Sequence, residues 1–133
     1  MKYLLDTNVC IKILNGSNKN ILNKIETIKN NEILIPSIVR FELYYGAYKS
    51  TIPTKTTNTL NRFLNSFETI EFNDSIAEIA GRLRADLAQK GTPIGPYDII
   101  IAATAIYTNL TLITHNKKEF SRIISLKKED WEI

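Results

Sequence analysis

Lys2-Tyr3-Leu4-Leu5-Asp6-Thr7-Asn8 is a short apolar run that breaks abruptly into a carboxylate and two polar residues. The pattern reads as a buried strand running into a loop. Working outward, Ile33-Leu34-Ile35 repeats it and is closed by Pro36-Ser37. Thr69-Ile70-Glu71-Phe72 reads as a third strand, Leu110 to Thr114 as a fourth, and Trp131-Glu132-Ile133 as a short fifth. Helical patterns separate these strands. Ile21, Leu22, Ile25 and Ile28 recur at helical spacing, and Ser37 is placed to cap a helix over Ile38 to Tyr48. Leu60, Phe63, Leu64 and Phe67 line one face of another helix. Ser75-Ile76-Ala77-Glu78 has the form of a capping box, and Gly91 is placed to end the helix that follows. Tyr97 to Thr108 is apolar nearly all round, as a buried helix would be. Strands alternating with helices predict the α/β class, with a parallel sheet covered on both faces.

The chain has 133 residues, without an internal repeat or a Gly/Ser-rich linker, so a single domain spanning residues 1–133 is expected. Hydrophobic residues make up 44% and charged residues 23%, which excludes a wholly disordered chain. Its single cysteine, Cys10, excludes an intramolecular disulfide framework and a cysteine-built zinc cluster, and makes a cytoplasmic location the expectation. The apolar run Ile99 to Ala103 falls well short of the ~20 residues of a membrane span. A net charge of +3 leans towards polyanionic partners, though the basic residues are scattered.

Parallel sheets bind ligands at the carboxyl ends of their strands. Asp6 follows the first strand, Glu42 lies one turn into the helix after the second, and Asp98 opens the buried helix. Thr114, His115 and Asn116 follow the fourth strand. Each has a plainer role open to it: a helix cap for Asp6, a favourable charge on the helix dipole for Asp98, a solvated charge for Glu42 and Glu119. Taken together, three carboxylates at one point repel unless a cation sits among them. Oxygen-only ligation suits Mg²⁺ or Mn²⁺ over zinc, and such ions serve phosphoryl chemistry. No Walker-type loop is present, which disfavours nucleoside triphosphate hydrolysis.

Leu4-Leu5-Asp6-Thr7-Asn8, Phe41-Glu42-Leu43 with Tyr45-Gly46-Ala47, and Gly91-Thr92-Pro93-Ile94-Gly95-Pro96-Tyr97-Asp98 together resemble a PIN-domain ribonuclease. So do Ile101 to Ala105 and Thr114-His115-Asn116-Lys117-Lys118-Glu119-Phe120-Ser121-Arg122, running on to Asp130-Trp131. The likeness is greatest to the VapC toxins of bacterial VapBC toxin–antitoxin pairs and covers essentially the whole chain.

The resemblance implies a three-layer α/β/α domain with a mainly parallel sheet in the order 3-2-1-4-5. It also implies a metal-dependent endoribonuclease that cuts RNA, in some relatives a tRNA. Asp6 and Asp98 match the family's metal positions, Glu42 the third acid, and Thr7, Asn8 and Thr114 flanking polar positions. Implied with these are Mg²⁺ (or Mn²⁺) as cofactor, a homodimer, and a small VapB-like antitoxin through which alone operator DNA is bound. One departure stands out. Many relatives carry a fourth acid where this chain has Asn116, and Glu119 lies three residues on. Two other readings share parts of the pattern. A haloacid-dehalogenase-type phosphatase also opens strand-then-Asp but needs a second Asp at Asn8, and a non-enzymatic RNA- or protein-binding module could share the fold.

Overall fold

The computed structural model describes all residues, Met1 to Ile133. In chain order the elements are β1 (Tyr3–Leu5), α1 (Thr7–Asn15), α2 (Lys19–Glu26), β2 (Ile33–Pro36), α3 (Ser37–Tyr48), α4 (Pro53–Leu64) and β3 (Glu68–Ile70). There follow α5 (Asp74–Gln89), α6 (Pro96–Thr108), β4 (Thr111–Ile113), α7 (Lys117–Phe120) and β5 (Lys128–Glu129). The five strands form one sheet in the order β3-β2-β1-β4-β5, and every pairing is parallel. Helices cover both faces, giving the three-layer α/β/α arrangement.

The central strands β2, β1 and β4 are largely buried, whereas the edge strands β3 and β5 are not. β2 is buried at all four positions, and Leu4, Leu5, Leu112 and Ile113 are inaccessible to solvent. This is why these strands read as continuous apolar runs and not as alternating ones. α6 contributes Ile99, Ile101, Ala102, Ala103 and Ala105 to the same core. No helix is long and apolar enough to cross a membrane.

Several boundaries differ from the sequence reading, among them β3, which is Glu68–Ile70 and not Thr69–Phe72. Ser37 is the first residue of α3 and not its cap; Pro36 occupies the cap position without a side-chain bond. Pro36 is still paired with Ile70 in the sheet, so the chain passes from strand to helix with no intervening residue. α4 begins at Pro53, well before Leu60, and stops at Leu64. Its polar opening turns carry no apolar period, but proline's fixed φ suits a first helical residue. Phe67 lies beyond the helix and meets Phe63 edge to face, with ring centroids 5.2 Å apart. α5 is capped by Asn73, whose side chain accepts from the Ile76 N–H at 2.9 Å, and not by a box at Ser75. Finally, β5 is Lys128–Glu129 and not Trp131–Ile133. Trp131 instead packs edge-on against Tyr3 in the core.

Gly91 has a φ of 71°, the left-handed conformation that lets the chain leave α5 sharply and turn towards α6.

Candidate active site

β1 lies between β2 and β4, so the connections leaving its two sides run in opposite directions and open a crevice at its carboxyl end. Asp6 stands at that point, and its N–H donates to the Ile113 carbonyl of β4 at 3.2 Å. Its side chain caps α1, with Oδ1 accepting from the Val9 N–H at 2.9 Å. The cap role therefore coexists with a place in the crevice. The buried Thr114, at the end of β4, acts on the same carboxylate and favours its charged form. Thr114 Oγ1 in turn accepts from the Asn116 N–H at 3.0 Å. What ties residue 116 to this network is thus its backbone.

Glu42, in the second turn of α3, is held from the facing helix: the Thr7 hydroxyl donates to Glu42 Oε1 at 2.7 Å. Asp98 sits in the first turn of α6, behind Pro96 and Tyr97. Glu119 lies on the single turn of α7. Asn8, in the first turn of α1, is exposed.

The electrostatics show how these groups are gathered. Burial pushes Asp98 up, and the charges of Glu119, Glu42 and Asp6, in that order, push it further, to about 6. Asp6 is raised as well, chiefly by burial, against the opposing influences of Thr114 and Val9. Each acid acts on Asp98 from a different element: α7, α3 and the end of β1. None of the four makes an ion pair with a Lys or Arg.

A second acidic group contrasts with this one. His115, Asp130 and Glu132 bring three ligand-type atoms within 4.8 Å of one another, closer than the four acids approach as a set. That group is already balanced by cations. Lys117 lies 3.4 Å from Asp130 and Lys12 contacts Glu132, while His115 Nδ1 shares a 2.9 Å hydrogen bond with Asp130 Oδ2. Asn18 and Asn20 also hold Glu132. It is a polar latch fastening the carboxyl-terminal segment to α1 and α2. The bonds from Lys12, Asn18 and Asn20 to Glu132 each span more than a hundred positions, so spacing along the chain gave no signal for them.

The uncompensated cluster is the one whose chemistry fits a divalent cation. It offers only oxygen donors, and its mutual repulsion is relieved by no ion pair, Lys12 being the weakest of the influences on Asp6. Cys10, nearby, is fully buried with its thiol pushed well up, so it offers no thiolate. A magnesium ion keeps much of its water and needs only one or two direct carboxylates, which suits acids spaced wider than a closed cage.

Beside Glu42, a groove of about 430 Å³ opens between α1, α3 and α4, with Ile11, Leu14, Leu43, Ile52 and Leu60 on its walls. The sequence reading did not anticipate it, because its lining comes from three helices. Nor did it anticipate that Phe41 and Tyr97, the neighbours of Glu42 and Asp98, meet edge to face with centroids 5.6 Å apart.

Residues 3–125 match the family model of the PIN domain. The chain is 43% identical to "Ribonuclease VapC2" of Rickettsia felis over 133 residues, 99% of each chain. It is 37% identical to "tRNA(fMet)-specific endonuclease VapC" of Salmonella typhimurium over 98% of each. Among solved structures, the VapBC complex of S. typhimurium bound to DNA superimposes with a TM-score of 0.92 at 37% identity, covering 98% of both chains. VapBC2 of R. felis bound to a promoter DNA fragment gives 0.90 at 42% identity, covering 98% of this chain and 99% of that one.

Proposed function

The chain belongs to the PIN domain family, and from that premise we propose that it is a VapC-type endoribonuclease toxin. It cuts RNA at backbone phosphates with Mg²⁺ or Mn²⁺ and is held in check by a small antitoxin. The observation that carries this reading is the group of acids around Asp98, whose carboxyl is raised to about 6 by burial first and by the charges of Glu119, Glu42 and Asp6 after it. The whole chain, residues 1–133, is one such domain acting in the cytoplasm, and it forms a homodimer.

Asp6, Asp98 and Glu42, the last directly or through water, would hold the cation. When bound, the ion supplies a water of lowered pKa and neutralises charge developing on the phosphate. The side chains do the rest. Asp6 is fixed by the bond from the Val9 N–H, so its carboxylate needs no reordering when substrate arrives. Glu42 is fixed in the same way by Thr7. Asp98 holds a proton at low pH and releases it when a positive charge replaces the repulsion of its neighbours. Glu119, the strongest charge acting on Asp98, adds reach from α7 towards the scissile phosphate. Asn8 and Asn116 border the site as polar, uncharged neighbours. Scattered Lys and Arg side chains hold the RNA backbone electrostatically.

The apolar groove beside Glu42 is the seat we assign to the antitoxin's tail, which would then reach the acids and close the site. Operator DNA is engaged through that antitoxin. The two complexes described above, each a VapBC pair with DNA, support this part.

The test is RNA cleavage by the wild type and by Asp98→Asn, with Mg²⁺, with Mn²⁺ and with EDTA, followed by addition of a VapB-type antitoxin. Cleavage by wild type with metal alone, lost in the other arms and on adding the antitoxin, is expected. A folded wild type that leaves RNA intact with both metals sinks the proposal.

A further inference from the structure

The exposed aromatic surface of the chain is concentrated beside the acids. Phe41, Tyr45 and Tyr48 fall at i, i+4 and i+7 on α3 and are 52%, 61% and 65% exposed. Tyr97, 46% exposed, meets Phe41 edge to face. Phe41 directly precedes Glu42, and Tyr97 directly precedes Asp98, so the ring pair borders the cluster from two elements at once. Leaving such rings in water forfeits the gain of burying them.

Cations are interleaved with the rings. Lys49 Nζ lies 4.9 Å from the Tyr45 ring centroid, and the Arg40 guanidinium lies 6.0 Å from that of Tyr44. Aromatic faces mixed with basic groups are the makeup of surfaces that bind single-stranded nucleic acid, where rings stack on bases and cations follow the phosphates. Rings and arginine also mark the centre of protein–protein contacts, but lysine is depleted there, so it is Lys49 on Tyr45 that favours a nucleic acid.

We propose that Phe41 and Tyr97, extended along α3 by Tyr45 and Lys49, form a stacking platform for an unpaired RNA base next to the phosphate that is cut. The proposal rests on the ribonuclease reading above and names a subsite of the same site. A base in a duplex has its faces covered by its neighbours, so the platform selects loops and single strands.

The experiment separates the platform from the nuclease reading by measuring binding without cleavage. In Asp98→Asn protein carrying Phe41→Trp, a short unstructured oligoribonucleotide is expected to quench the new indole, and the same strand annealed to its complement is not. Trp131, buried against Tyr3, contributes a constant background. Phe41→Ala and Tyr97→Ala should each weaken single-strand binding by about five- to a hundredfold. Phe41→Tyr, which keeps a ring, should restore it. Tyr107→Ala, an equally exposed ring at the far end of α6, should change nothing. Absent quenching together with unchanged affinity in Phe41→Ala overturns the platform even if the wild type cuts RNA. So does a Phe41→Ala chain whose only change is a smaller mass in light scattering, which makes the stripe a contact between copies. A wild type that binds single strands through these rings yet cuts nothing overturns the nuclease reading and leaves the platform standing.

Discussion

The Thr7 hydroxyl donates a 2.7 Å hydrogen bond to Glu42 across 35 residues of sequence, fixing the first turn of α1 against α3. A carboxylate held in this way is aimed before any ligand binds. Glu42→Gln keeps the shape and removes the charge, so RNA cleavage is expected to fall by a hundredfold or more, an effect of about 2.7 kcal/mol on the transition state. Thr7→Val removes the only hydroxyl on Glu42 and should lower cleavage several-fold, with Thr7→Ser retaining most of it. Wild-type rates in Glu42→Gln would remove this residue from the site.

Asp6 is both a cap and a member of the acid cluster, and two substitutions separate the roles. Asp6→Asn keeps an oxygen for the Val9 N–H, since asparagine caps as well as aspartate. It should abolish cleavage with the melting temperature held or raised. Asp6→Ala should abolish cleavage and also cost about 1 kcal/mol of stability through the lost cap. Thermal unfolding of the two variants, side by side with RNA cleavage, checks this; equal destabilisation in both would assign Asp6 a structural role alone.

Asp98 sets a pH dependence. Its carboxyl is raised from 3.8 to about 6, so between these values the folded chain holds a proton that the unfolded chain has released. Its contribution to metal-free stability is full below the lower value and is lost as pH rises through the upper one. Melting temperatures in EDTA should therefore decline from about pH 4.5 to 7, with Asp98→Asn flattening the curve. Asp130 and Glu32, held low by their bonding partners, act in the opposite sense and only at more acid pH.

Cation affinity follows the same group. Protons and the ion compete for the same oxygens, so Mg²⁺ affinity measured by calorimetry should rise steeply through about pH 6 and level off above it. A flat affinity from pH 4.5 to 7.5 would contradict a carboxylate site.

Glu119 and Asn116 answer differently to substitution. Glu119 is the strongest of the three charges on Asp98, so Glu119→Gln should slow cleavage by roughly tenfold, about 1.4 kcal/mol, without loss of fold. Asn116→Asp restores a charge on the loop and should keep activity or tighten metal binding. An unchanged rate in Glu119→Gln would leave a three-carboxylate site.

The fold was legible in the sequence because burial writes itself locally. Central strands covered on both faces read as continuous apolar runs, and parallel neighbours are joined through helices; hence Leu4-Leu5, Ile33 to Ile35 and the α6 run announced a parallel sheet. Asp6 and Thr114 were also legible as strand-end residues, since every strand of such a sheet delivers its carboxyl end to the same edge. Polar detail was less visible. The start of α4 and the true cap of α5 depend on Pro53 and Asn73, single residues outside any apolar period. Only the tertiary structure brought Thr7 to Glu42, Glu119 to Asp98, Phe41 to Tyr97, and Lys12 to Glu132. Sequence spacing specifies contacts along one helix or strand, whereas a pair on two elements is set by how the elements cross. The same distinction separates the two acidic groups: composition counts carboxylates alike, and packing alone decides which are neutralised by lysine and which are left for a cation.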